Sequence, residues 1–223
     1  MDAALIVIAK APVPGRVKTR LCPPCSAWQA ASIAEAALRD TLDAVAAVPA
    51  VPAVPAARRA LVLAGEPGPW LPEGFEVHPQ VGGGLDARLA GAFESVGGPA
   101  LLVGMDTPQL DAELLGRSLA ALARGRAEAV LGPAADGGYW AIGLCRADRR
   151  VFTGVPMSTP WTARAQRLRL RRLGIACVEL PELRDVDTFE DALEAAEACP
   201  GSRFASEVRS VAAGLPVAGL ATG

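Results

Sequence analysis

Aromatic side chains are scarce in this sequence: one tyrosine, four tryptophans and five phenylalanines among 223 residues. Since 51% of the residues are nevertheless apolar, the core has to be built from Ala, Val and Leu. Histidine is scarcer still, because His78 stands alone. That argues against zinc chemistry, which would need a second ligand pair, and against hydrolase triads, for which no serine or cysteine sits in a nucleophile-elbow pattern. No stretch of about 18 apolar residues is free of charge or proline, so the sequence offers no membrane-spanning helix. The opening Met1-Asp2-Ala3-Ala4 lacks the basic region and cleavage site of a signal peptide and predicts a cytoplasmic protein. A basic surplus is missing as well. With 22 Lys and Arg against 24 Asp and Glu, the formal net charge of −2 argues against nucleic-acid binding.

Cysteines are few and odd in number: Cys22, Cys25, Cys145, Cys177 and Cys199. An odd count argues against a disulfide framework. Cys22-Pro23-Pro24-Cys25 has CxxC spacing, but no second pair exists to complete a zinc site, and prolines separate it from the following helix. Two reduced thiols in a loop are the expectation.

What is present is alternation. Apolar runs at 5–9, 60–64, 75–78, 100–104, 129–132, 139–144 and 175–179 have the length and bounding turn residues of strands. Helical periodicity separates most of them, at 27–48, 86–96, 111–124, 163–173 and 189–199, with Ser26 as an N-cap. Such alternation predicts a single α/β domain, a three-layer sandwich around a mostly parallel sheet. The gap between 132 and 139 is too short for a crossover helix, so a hairpin there makes the sheet mixed. Residues 49–55, a Val/Ala/Pro repeat, read as an extended connector. Residues 1–200 form the expected domain and 201–223 a C-terminal helix or tail, its last ten residues mobile.

Ligands of open α/β sheets bind beyond the carboxyl ends of the strands, which directs attention to the loops there. After the first strand come Lys10, Arg16, Lys18 and Arg20 within eleven residues, on a backbone turned by Gly15 and stiffened by Pro12 and Pro14. Converging cations and free backbone N–H groups suit a polyphosphate, and a solvated basic loop is the alternative. Val17 before Lys18 rules out a Walker loop. A second strand runs into Gly104-Met105-Asp106-Thr107-Pro108, where Asp106 is placed either to hold a hard cation against phosphate oxygens or to cap a helix. Asp136-Gly137-Gly138 reads as a turn, and beside Tyr139 and Trp140 it also suits the grip of a sugar or acceptor. In Asp185-Val186-Asp187-Thr188, Thr188 and Asp191 make a capping box, which leaves Asp185 and Asp187 for a metal. The arginines 164, 167, 169, 171 and 172 read as a solvated helix face.

The run Gly82-Gly83-Gly84-Leu85-Asp86-Ala87 matches the dinucleotide fingerprint, with Asp106 about twenty residues later where a ribose carboxylate belongs. The fingerprint normally forms the first βα turn, whereas strands precede it here, and Arg88 comes early in the helix.

Four segments together are specific: Ala9-Lys10-Ala11-Pro12 with Gly15-Arg16-Val17-Lys18-Thr19-Arg20-Leu21, then Gly104-Met105-Asp106-Thr107-Pro108, Gly132-Pro133 with Asp136-Gly137-Gly138-Tyr139, and Asp185-Val186-Asp187-Thr188. In these, from about residue 4 to about residue 195, the chain resembles the bacterial GT-A-like glycosyltransferases of the arsenosugar-biosynthesis type. That family was long grouped as a domain of unknown function (DUF2064) and is related to the molybdenum-cofactor and phospholactate nucleotidyltransferases. The resemblance implies a single-domain nucleotide-diphospho-sugar transferase (GT-A, Rossmann-like) fold and Mg²⁺ or Mn²⁺ at the Asp106 region. The chain departs from the family where an acid is replaced by Gly84, a glutamate by Ala87 and a tryptophan by Met157. Position 104 is glycine, so the two-acid DxD motif is absent.

The combined reading assigns nucleotide and phosphates to Ala9, Lys10, Gly15, Lys18, Arg20, Gly83 and Arg88, and the metal to Asp106 and Asp187. Gly137, Gly138, Tyr139 and Trp140 are assigned to the acceptor, and Asp136, Asp106 and Lys18 are the candidate catalytic groups. The expected activity is metal-dependent glycosyl transfer from a nucleotide sugar to a small-molecule acceptor. Nucleotidyl transfer from a nucleoside triphosphate uses the same parts, and a non-catalytic nucleotide-binding module is the third reading. No membrane or nucleic-acid partner is expected, and a homodimer is admitted.

Overall fold

The computed structural model describes residues 3–49, 57–125 and 127–215. The connector expected at 49–55 falls outside the described residues beyond Pro49, as does nearly all of the expected mobile tail. The described residues form seven strands: β1 (Ala4–Lys10), β2 (Arg58–Ala64), β3 (Glu76–Pro79), β4 (Ala100–Gly104), β5 (Ala129–Pro133), β6 (Tyr139–Leu144) and β7 (Cys177–Glu179). They form one sheet in the order β3-β2-β1-β4-β6-β5-β7. β6 runs antiparallel to β4 and β5, and all other pairings are parallel. The short 132–139 connection is therefore the hairpin that makes the sheet mixed.

The described residues also form six α-helices: α1 (Ala27–Ala46), α2 (Leu85–Val96), α3 (Ala112–Ala123), α4 (Thr162–Arg172), α5 (Phe189–Ala198) and α6 (Arg203–Gly214). Strand alternation sorts the core into two layers. In β1, Leu5, Val7 and Ala9 face Ala34, Leu38 and Leu42 of α1 and Leu115 and Leu119 of α3. Ala4 and Ile6 belong to the opposite layer, with Leu89 and Phe93 of α2, Phe152, and Leu170 of α4. Burying both faces of β1 explains why its sequence is an unbroken apolar run. A third cluster lies outside the sandwich, where Phe204 and Val208 of α6 and Ala192 and Ala195 of α5 cover Ile33 and Ala37 of α1.

Caps follow the sequence. Ser26 and Gln29 form a capping box at α1, Asp111 caps α3 through Leu114 N, and Thr188 with Asp191 boxes α5. Strand β7 is shorter than its apolar run, because Ile175 N is used by Leu170 O in closing α4.

Topology places the site. From β1 the chain moves to β2 on one side, whereas β4 lies on the other, so the switch of direction falls between β1 and β4. Their register pairs Ile8 with Gly104, and the chain leaves both strands at one level, as Lys10 and Asp106. Antiparallel β6 enters at the same edge with Tyr139, since Val103 pairs with Ala141.

Candidate active site

A cavity of about 400 Å³ opens at this edge. Ala9, Lys10, Lys18, Arg20, Arg88, Asp106, Asp187, Tyr139 and Trp140 line it among the residues singled out from the sequence. Asp185, Thr107 and Gln80 line it too, together with apolar walls from Ile8, Leu85, Leu89 and Leu102.

The loop after β1 folds back into the cavity through a 3-10 turn at Thr19–Leu21, anchored by buried Leu21. Val17, also buried, and Leu21 flank the turn and pin its ends. Lys18 between them has φ 49° and ψ 39°, in the left-handed region. Its ammonium lies 2.6 Å from Asp106 Oδ1 and also donates to Val186 O. The Lys18 side chain is only 9% exposed, against 46% for Asp106. Two residues on, Arg20 Nη1 pairs with Asp187 Oδ2.

The segment 185–187 reaches the site by strand-like pairing. Ala134 bridges Leu183 just beyond β5, Ala135 N donates to Leu183 O, and Val186 N donates to Asp106 O at 2.9 Å. Val186 is buried against α1 and α5 residues, so the alternation turns Asp185 and Asp187 the other way, into the cavity. Asp185 accepts a 2.5 Å hydrogen bond from the buried Thr107 hydroxyl. Burial pushes the Asp185 carboxyl up to about 6; the charges of Asp106 and Asp136 add to the rise, while Thr107 and Lys18 oppose it.

Several of the expected residues frame the cavity without lining it. Asp136 uses Oδ1 to accept from Gly138 N at 2.8 Å, a turn-closing bond, yet its charge still acts on Asp185. Gly137, at φ +86°, packs so tightly on the loop before α4 that an added Cβ would lie 2.1 Å from Pro160 O. Its own carbonyl accepts from Ala163 N. Gly15 and Gly83 are turn residues at φ +74° and +106°, outside the cavity wall. The Gly83 carbonyl fixes Arg88 by accepting from Nε at 3.0 Å. Trp140 is 2% exposed, its indole lying over Gly132 and donating to Pro181 O, so it is a fixed wall. The Tyr139 phenol is held well above its usual range by burial and donates to Gln166 Oε1 at 3.4 Å. It stays neutral.

Sequence reasoning assigns no role to Gln80 or Thr107. Gln80 Nε2 donates to Ala9 O and Val62 O, tying the ends of β1 and β2 together. On its far side lies a second cavity of about 630 Å³, which shares Lys10, Gln80 and Arg88 with the first and adds Arg16 and Glu66. The triple-glycine run follows edge strand β3, not the first strand. The five cysteines are free thiols.

Among the described residues, no three His, Cys, Asp or Glu side chains group closely enough to enclose a metal ion unaided. Magnesium is commonly held by one or two carboxylates together with substrate phosphates, and the oxygen donors of Asp106 and Asp187 suit that mode.

Residues 35–159 match the family model described as "uncharacterized protein conserved in bacteria (DUF2064)". The chain belongs to that family. No curated protein sequence matches it. Among solved structures, this DUF2064 chain is similar to a protein of Desulfovibrio desulfuricans G20 provisionally named a nucleotide-diphospho-sugar transferase. The TM-score is 0.83 at 24% identity, over 96% of both chains. A cytidylyltransferase of Leptospira borgpetersenii shares the fold at TM-score 0.54 and 14% identity, over 96% of this chain and 94% of the other. A 2-C-methyl-D-erythritol 4-phosphate cytidylyltransferase of Thermus thermophilus does so at 0.53 and 18%, over 89% and 100%. The expected α/β fold is thereby shown. Among the described residues, no helix is long and apolar enough to cross a membrane.

Proposed function

We propose that this protein is a metal-dependent transferase that takes a nucleotide sugar and passes the sugar to a small-molecule acceptor. One observation carries the reading. At the switch point of the sheet, cations from the first-strand loop meet the carboxylates of Asp106 and Asp187 in one cavity of ligand size. A nucleoside diphosphate needs both kinds of group, cations for its oxygens and carboxylates for its counter-ion. The second cavity, bounded by the ends of β1, β2 and β3, suits the nucleoside, with Lys10, Gln80 and Arg88 on the shared wall facing the phosphates.

In this reading Lys10, Lys18 and Arg20 bind the diphosphate and stabilise the charge it gains on leaving. A divalent ion, Mg²⁺ or Mn²⁺, held by Asp106 and Asp187 would supply further charge neutralisation there. The sugar–oxygen bond to the diphosphate breaks as the acceptor oxygen bonds to the anomeric carbon. Asp136, whose Oδ2 is not used by the turn, accepts the acceptor's proton. Tyr139 and Trp140 wall the acceptor side, and Gly137 and Gly138 hold Asp136 in place. Asp185, hydrogen-bonded to Thr107, orients the segment carrying Asp187.

Nucleotidyl transfer is the second reading, favoured by the cytidylyltransferases that share the fold. There a phosphorylated acceptor attacks the α-phosphorus and pyrophosphate leaves. A thermal-shift panel of nucleotides and sugar nucleotides, with Mg²⁺, Mn²⁺ or chelator, separates the two. A metal-dependent shift with a nucleoside diphosphate or its sugar supports glycosyl transfer, and a shift confined to triphosphates supports nucleotidyl transfer. Stabilisation by NAD(H) alone would overturn both.

A further inference from the structure

Each of the two carboxylates assigned to the metal is paired with a cation of the first-strand loop. Lys18 holds Asp106 at 2.6 Å, and Arg20 holds Asp187. The Lys18 ammonium has further support. It donates to Val186 O, between the two other acids of the site, and its side chain is 9% exposed. Its backbone lies in the left-handed region, which lysine rarely adopts, and buried Val17 and Leu21 clamp the turn on either side. The placement is therefore built into the loop.

We infer that Lys18 is an internal stand-in cation, which keeps Asp106 closed to a divalent ion until a diphosphate draws the ammonium away. The inference rests on the transferase reading and adds a binding order to it. A metal arriving alone would meet a carboxylate whose charge is already matched by the Lys18 ammonium. A diphosphate arriving alone finds its best cation engaged with Asp106. Arriving together, each ligand releases the partner the other needs: Lys18 turns to phosphate oxygens and Asp106 to the metal. Linkage makes this reciprocal, so metal and diphosphate raise each other's affinity by the same factor. Arg20 repeats the arrangement at Asp187 in a more exposed position, 73% against 9%, where water screens the pair and its influence is smaller. Lys18 is a positioning residue for the metal in this scheme, apart from its contact with the diphosphate.

The test is calorimetric titration of Mn²⁺ alone into the full chain, wild type beside Lys18→Met and Lys18→Gln, with Lys18→Arg as the charge-keeping control. Circular dichroism and ligand-free melting confirm that each variant is folded; two neutral variants guard against loss of one. Removing a neighbouring positive charge should tighten Mn²⁺ binding roughly tenfold or more in both neutral variants and leave Lys18→Arg like wild type. Melting with Mn²⁺, with inorganic pyrophosphate and with both gives an independent readout. Wild type should show a joint shift well beyond the sum of the separate ones, and Lys18→Met should lose that excess because Mn²⁺ alone already stabilises it. Equal Mn²⁺ affinity in wild type and both neutral variants, with the joint shift intact, overturns the stand-in role and leaves the transferase reading standing. Absence of any shift with Mn²⁺ and pyrophosphate in every protein, and with every nucleotide, overturns the transferase reading and this inference with it.

Discussion

Two stretches of this chain are rich in basic residues, and the structure uses them in opposite ways. Along α4, Arg167 pairs with Glu179 on the adjoining edge strand and Arg169 donates to Arg150 O, while Arg164, Arg171 and Arg172 stay exposed. These cations sit on a helix whose other face is buried through Gln166 and Leu170, and they keep that helix wetted. The loop after β1 carries fewer cations, but its backbone turns them inward at the switch point of the sheet, onto the carboxylates of Asp106 and Asp187. Density of charge does not mark a site. What singles out the proposed site is charge delivered to the carboxyl edge, where strand ends from both directions converge.

The comparison breaks most directly at Asp106. Asp106→Asn leaves the fold and Lys18's backbone in place and removes the carboxylate around which the loop is organised. Turnover of the donor identified by melting should fall on the order of 100-fold or more. Arg171→Gln should leave kcat unchanged. Comparable losses in the two variants would show that the exposed arginines belong to the working surface after all.

Position without charge is tested at Gly137. A methyl group there meets Pro160 O at 2.1 Å on a backbone with φ +86°, so the turn carrying Asp136 must shift. Gly137→Ala should lose about 1–3 kcal/mol of stability, read by denaturant unfolding. Acceptor KM should rise while the donor-induced melting shift is kept. Loss of the donor shift instead would place this turn in the nucleotide site.

Much of this arrangement is legible in the sequence, for physical reasons that differ from element to element. Strands β4 and β6 fall where their apolar runs do, because both faces are buried and nothing polar interrupts them. The N-cap at Ser26 and the capping box at Thr188 read directly, being local in sequence, whereas Gln29's return bond to Ser26 appears only in the structure. The order of strands is not local, and only the short β5–β6 connection reveals part of it. Helix α6 is legible only as part of a helix-or-tail segment. Its fixed place comes from Phe204 and Val208 packing on α1 and from Asp40 bonding to Arg203 and Phe204 N, contacts across more than 160 positions. Within the site, the cations and acids stand out as residue types, but their pairing does not. Lys18 facing Asp106 depends on a left-handed backbone at a non-glycine residue, which no composition signals. Gln80 and Thr107 receive no role from the sequence because they hold neighbouring strands and acids and bear no charge.

Asp185 offers a smaller and pH-dependent test. Its folded-state pKa of about 6 lies above the ordinary carboxylate value, so the folded protein binds this proton more tightly than the unfolded chain. The resulting stability is fully present below about pH 4 and is lost as pH rises through 6. Asp185→Asn, which keeps an acceptor for Thr107, should therefore stabilise the metal-free protein by about 1–2 kcal/mol at pH 8, allowing for screening by water in the cavity. At pH 4 it should change little. Unfolding curves for both proteins at the two pH values decide it. A destabilised variant at pH 8 would mean that ionised Asp185 is held by the loop cations more strongly than its burial opposes it.

The smallest expected effect lies on the α4 side. Arg167 and Glu179 form an ion pair in which the side chains are 29% and 52% exposed, and water screens most of its attraction. Arg167→Gln should cost less than about 1 kcal/mol, a melting shift of a few degrees at most. The shift produced by nucleotide with Mn²⁺ should match wild type, because no α4 residue lines the cavity and the helix meets the cavity's surroundings through Gln166 at Tyr139 and Ala163 at Gly137, not through Arg167. A reduced nucleotide shift in Arg167→Gln would mean that the helix transmits to the site, and the contrast between a wetted helix and a working loop would have to be abandoned. An unchanged one, set beside the loss in Asp106→Asn, would show that two basic stretches differ in function because only one of them is folded onto the switch point.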